Sequence, residues 1–70
     1  MPRFDVYGRF LLDVERSGDG WVVRHVGQGL RRPAEDIRLP PSATLDELPD
    51  HLDVLLHEYA GPGDVIRRIR

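Results

Sequence analysis

The sequence predicts a small α+β domain: an antiparallel sheet in β-β-β-α-β order with one amphipathic helix packed on one face. Three observations carry this. Residues 4–15 alternate apolar and polar with a period of two. A glycine-rich turn follows, and then a second alternating run. Residues 44–59 carry leucines at helical spacing behind a capping signal. With 70 residues and no long linker, the chain reads as a single domain over 1–70.

In the first run Phe4, Val6, Phe10, Leu12 and Val14 hold even positions, while Asp5, Tyr7, Arg9, Asp13 and Glu15 hold odd ones. That is the pattern of one half-buried strand, with Gly8 marking a bulge or bend. Ser17-Gly18-Asp19-Gly20 reads as a hairpin turn. A two- or four-residue loop there pairs residues whose numbers sum to 37. Leu12 then meets His25, Val14 meets Val23, and Asp13 forms a cross-strand ion pair with Arg24. A three- or five-residue loop would invert every side chain.

Gly27-Gln28-Gly29 ends the second strand, and Leu30-Arg31-Arg32-Pro33 reads as a loop or short edge segment. Ile37 and Leu39 alternate with Arg38 as a short third strand, ended by Pro40-Pro41. Thr44 with Glu47 forms a capping box. Leu45, Leu48, Leu52, Leu55, Leu56 and Tyr59 share one face of a helical wheel. Pro49 predicts a short turn over 44–48 and a main helix that starts at Pro49 as its first residue. Gly61-Pro62 stops the helix. Val65, Ile66 and Ile69 suit a closing strand or a helical turn, and the strand is the better fit.

Composition narrows the function classes. There is no Cys, so disulfides, thiolate metal sites and thiol chemistry are excluded. No apolar run reaches the roughly 18–20 residues of a membrane span. The opening residues lack an apolar secretion signal, so the expected location is cytoplasmic. All ten basic residues are Arg, and none lies between Leu39 and Ile66, where six acids sit; the rest of the chain carries ten Arg and six acids. The chain therefore divides into a segment of −6 and a remainder of +4, giving the formal −2. Such segregation predicts two faces of opposite sign, and so either internal pairing or a charged partner. An acidic balance with few aromatic platforms argues against nucleic acid.

Four groups of residues are candidates for function. Asp50, Asp53 and His57 fall on one polar side of the helix and offer hard ligands for a divalent cation, although a solvated helix face has the same pattern. His51 and Glu58 lie on its flank. Arg31 and Arg32, behind the glycine-rich turn, offer an anion site, although the spacing fits no phosphate-loop motif. His25 faces inward and reads as a structural histidine. Tyr7, Leu11, Val22 and Val26 point to the sheet face that the helix does not cover, and form an apolar patch suited to a dimer or partner interface. No catalytic set and no cofactor motif is present.

Phe4-Asp5-Val6-Tyr7-Gly8-Arg9, Gly20-Trp21, Gly29-Leu30-Arg31-Arg32, Ile37-Arg38-Leu39-Pro40 and Leu52-Asp53-Val54-Leu55-Leu56-His57-Glu58 together resemble a family of short bacterial proteins of unknown function. The likeness spans nearly the whole chain. It implies no activity, and it draws some weight to the Asp53, His57 and Glu58 segment. Pro49 departs from it. At the level of element order the chain is similar to HicB-type antitoxins, which implies a small toxin as partner. The expectation is a non-enzymatic protein-interaction module, most simply self-associating. The alternatives are an antitoxin-like regulator and a metal-dependent enzyme that uses the acidic helix face.

Overall fold

The computed structural model describes residues 2–27, 30–34 and 36–70, with only the backbone of Leu30 and Arg31. Its first feature corrects the sequence reading. Residues 4–15 are not one strand but a hairpin of β1 (Arg3–Val6) and β2 (Phe10–Ser17). The chain reverses at Tyr7 and Gly8, whose φ angles of 58° and 69° are both left-handed, and the Arg9 N–H donates to the Val6 carbonyl at 2.9 Å. Glycine adopts this geometry freely, whereas for Tyr7 it costs about 1–2 kcal/mol. The pairing runs Phe4 with Leu12 and Val6 with Phe10. These numbers sum to an even value, so the reversal leaves every even residue on the same face. Alternation therefore survives the turn and hides it.

β3 (Gly20–Gly27) pairs with β2 in the expected register, including Leu12 with His25 and Val14 with Val23. The next strand, β4, is Leu30–Pro33 rather than the stretch around Ile37 and Leu39. That stretch spends its amides on local turns: Ile37 N–H donates to Ala34 O and Ala43 N–H to Pro40 O, both at 3.0 Å. Its apolar side chains nevertheless join the core, with Ala34, Ile37, Leu39 and Ala43 all buried. The Trp21 indole N–H holds the segment by donating to Ala43 O at 3.2 Å. Arg16 stacks 4.7 Å above the Trp21 ring and donates to Pro41 O at 2.9 Å.

A 3-10 turn over Leu45–Glu47 leads into helix α1 (Leu48–Leu56), and a second 3-10 turn, His57–Tyr59, follows. Glu47 Oε1 accepts from the Thr44 N–H at 2.8 Å and from its hydroxyl at 3.0 Å. The backbone bond in particular holds the Glu47 carboxyl below its ordinary range. Pro49 is the second residue of α1, one later than the sequence suggests. There its missing N–H has no helical acceptor to lose. Leu48, Leu52 and Leu56 are buried, whereas Leu55 and Tyr59 are exposed. Leu55 lies on the flank of the buried stripe, and Tyr59 follows in the tighter turn, where the spacing of an α-helix no longer holds.

The closing strand, β5 (Ile66–Arg68), pairs antiparallel with β1, matching Val6 to Ile66. Among the described residues the sheet is five-stranded and antiparallel, ordered β4-β3-β2-β1-β5. The domain is α+β, with its one helical segment on the face formed by the even residues of β1 and β2. The core is Phe4, Val6, Leu12 and Val14 against Leu48, Leu52 and Leu56. No described helix is long and apolar enough to cross a membrane.

Candidate interaction face

The helix covers one side of the sheet, so the odd residues of β1 and β2 and the even residues of β3 occupy the other. Leu11 stands opposite Val26, Glu15 opposite Val22, and Asp5 opposite both Leu11 and Arg67. Leu11, Val22 and Val26 are half-buried there. Asp13, at the centre, is only 2% exposed although no helix lies above it. Its cover includes Arg3, which grips it in a bidentate fork: Nε to Oδ1 at 2.7 Å and Nη2 to Oδ2 at 3.1 Å. This hydrogen bonding raises the Arg3 pKa further. Arg24 turns to Glu15, Nη1 to Oε2 at 3.1 Å, not to Asp13 as the sequence suggests. The cause is the β1–β2 hairpin, which sets Arg3 directly opposite Asp13. A single-strand reading of 4–15 cannot place Arg3 there. The signal was present as a lone acid inside the apolar run Phe10-Leu11-Leu12-Asp13-Val14.

Tyr7 does not belong to this face. The left-handed turn swings it into the core, where it is 5% exposed, and its hydroxyl donates to the Asp53 carboxylate on α1. Burial first, then this hydrogen bond and the negative charge of Asp53 and Asp64, push the phenol up to about 12. Because the folded pKa lies above the unfolded value of 10.0, Tyr7 contributes stability that is complete below about pH 10 and lost as pH rises to about 12. The chain has no Lys and no Cys to titrate in that window. In a Tyr59→Phe background the phenolate absorbance at 295 nm should rise with a midpoint near pH 12. A midpoint near 10 would show that Tyr7 is not held in the core.

In place of Tyr7, the β5 side of the face brings Val65 and Ile69, 51% and 53% exposed. The Ile69 N–H donates to Arg3 O at 2.8 Å. Among the described side chains the face carries Arg3, Arg24 and Arg67 against Asp5, Asp13 and Glu15, so these six charges cancel.

The other sequence candidates do not assemble. Asp53 is engaged by Tyr7, Asp50 and His57 are exposed, and α1 ends at Leu56, so that His57 enters the tighter turn. Among the described residues no group of three His, Cys, Asp or Glu could hold a metal ion. Arg31 and Arg32 are consecutive in β4 and therefore occupy positions on opposite faces, which does not suit a shared anion. Gln28 and Gly29 of that turn, and the Arg31 side chain, lie outside the described residues. His25 packs 5.6 Å from Phe10, which in turn meets Tyr59 edge-on at 6.3 Å, a structural setting. Asp64 closes the turn before β5, accepting from the Gly61 N–H at 2.7 Å, and lies 3.7 Å from Arg9. Two shallow cavities flank Asp64 and Val65: one of about 300 Å³ beside Tyr7 and Arg67, and one of about 260 Å³ beside Asp50 and Asp53.

A family model described as "Domain of unknown function (DUF7661)" matches residues 1–70, the whole chain. The chain belongs to this family. Membership in DUF7661 assigns no activity, so the surface chemistry carries the functional reading. Comparisons with curated proteins and with solved structures find no match.

Proposed function

We propose that this domain is a non-enzymatic binding module that docks a protein on the uncovered sheet face, and that the protein docked is a second copy of the chain. The observation that carries the reading is the makeup of that face: half-buried Leu11, Val22 and Val26 around ion pairs that already neutralise one another. A face whose described charges balance can meet its own copy across a two-fold axis without net repulsion among them. The helical side cannot, because residues 45–59 hold five acids and no Arg. Sheet edges are poor alternatives for self-assembly, because β4 carries Arg31 and Arg32 and β5 carries Arg67 and Arg68, so copies would meet like charge to like charge.

Two magnitudes agree with this reading. The accessible surface is 4887 Å², against about 4,500 Å² for a compact monomer of this mass. A core this small contributes about 3–5 kcal/mol, which leaves room for stabilisation by association. Size-exclusion chromatography with light scattering at micromolar protein is expected to give the mass of a dimer. Leu11→Asp and, independently, Val22→Lys should give monomers with unchanged far-UV circular dichroism. A wild-type monomer across that concentration range, or a Leu11→Asp dimer, overturns self-association through this face.

A further inference from the structure

Beyond self-association, we propose that the free edge of β5 accepts an extended acidic segment of another protein as a sixth strand of the sheet.

The backbone at this edge is available. Tyr7 N–H bonds to Val65 O at 3.1 Å and Ile69 N–H to Arg3 O at 2.8 Å, so positions 65 and 69 face β1. Asp5 stands opposite Arg67 between them, so position 67 faces β1 as well. In an antiparallel ladder the bonded positions alternate. The N–H and C=O groups of Ile66 and Arg68 therefore point away from the sheet, at its outer margin. The opposite edge is less suited to addition, because β4 ends in Pro33, which has no N–H to give.

The side chains state the chemistry of the strand that fits. Arg67, Arg68 and Arg70 are exposed, and none of them is in an ion pair among the described residues. Arg68 Nε reaches only the Arg70 carbonyl, at 2.9 Å. Val65 and Ile69 add half-exposed apolar surface on either side of Arg67. An incoming strand gains main-chain bonds from Ile66 and Arg68, pairing for its carboxylates along the arginines, and apolar contact with Val65 and Ile69. The same charges that keep one copy of β5 from pairing with another select an acidic strand. At the other end of β5 the cavity beside Ile66 is lined by Asp50, Asp53 and Asp64. The acidic part of the segment therefore lies toward Arg70, and its far end is neutral or basic.

The test uses the intact chain and a short fluorescent peptide that alternates Val with Glu and ends in Lys. Anisotropy should show saturable binding, weakened by salt, with new amide-exchange protection at Ile66 and Arg68. A control peptide of the same sequence with N-methylated Glu amides cannot donate the ladder bonds and should not bind. The double substitution Arg68→Glu, Arg70→Glu should weaken binding by about tenfold or more. Both positions are exposed, so circular dichroism should be unchanged. Repeating the titration on Leu11→Asp separates this edge from the self-docking face, because binding there should persist. Equal binding of the N-methylated peptide would reduce the effect to attraction between anion and arginine. Absence of binding, or protection at β4 instead, would equally overturn the proposal.

Discussion

Leu52→Ala is expected to leave the domain largely unfolded at 25 °C. Leu52 is fully buried, midway between Leu48 and Leu56 on the only stripe that α1 presents to the sheet. Truncating a buried Leu costs about 2–5 kcal/mol, from lost transfer energy and the cavity left behind. The whole core of a chain this size is worth about 3–5 kcal/mol. The two quantities are comparable, so there is little margin. Urea titration followed by circular dichroism at 222 nm should show the native baseline nearly gone. Val54→Ala, on the same helix but 79% exposed, should stay within about 0.5 kcal/mol of wild type. Because association adds stability by mass action, both titrations belong at several protein concentrations. A loss below about 1 kcal/mol in Leu52→Ala would mean that the helix does not anchor the fold.

The second large effect is expected at Asp13. Removing one partner of a buried ion pair costs about 3–5 kcal/mol when the other is left uncompensated. Here the Arg3 side chain is 21% exposed and can turn to water, so Asp13→Asn should cost less, about 1–3 kcal/mol. Arg3→Gln removes the fork from the more buried member. The double-mutant cycle through Asp13→Asn, Arg3→Gln and both together should return a coupling of about 1–2 kcal/mol. A coupling near zero would mean that the fork contributes geometry without energy. The same variants bear on self-docking, because they disturb the charge balance of the proposed interface: Asp13→Asn should shift the dimer toward monomer even where the fold persists.

Much of this fold is legible in local patterns. The β2–β3 register follows from a two-residue turn and the alternation of its flanks, because a slip of one residue would put Val14 and Val23 on opposite faces. The helix start follows from Thr44 and Glu47, and Pro49 falls in the first turn because only there does its missing N–H cost nothing. The closing strand follows from β-branched Val65, Ile66 and Ile69 beyond a Gly-Pro stop. Other features escape a local reading. Ile37 and Leu39 alternate like a strand, yet their segment bonds to itself and lies across the end of the core. The Asp50, Asp53 and His57 grouping dissolves because Asp53 bonds to a tyrosine 46 residues away.

By itself the sequence determined the alternating faces of β1 to β3, a β2–β3 register conditional on an even turn length, the helical stripe and the division of charge. Each depends only on side-chain period and on residues within a few positions of one another. Only the tertiary structure decided the reversal at Tyr7 and Gly8, since a turn that preserves parity leaves the period of two unbroken. Three consequences follow from that reversal. Tyr7 enters the core rather than the open face. Arg3 comes opposite Asp13, so the central charge of that face is neutralised by a neighbour the linear pattern placed a strand's length away. β1 becomes an inner strand, with β5 and its arginines at the edge.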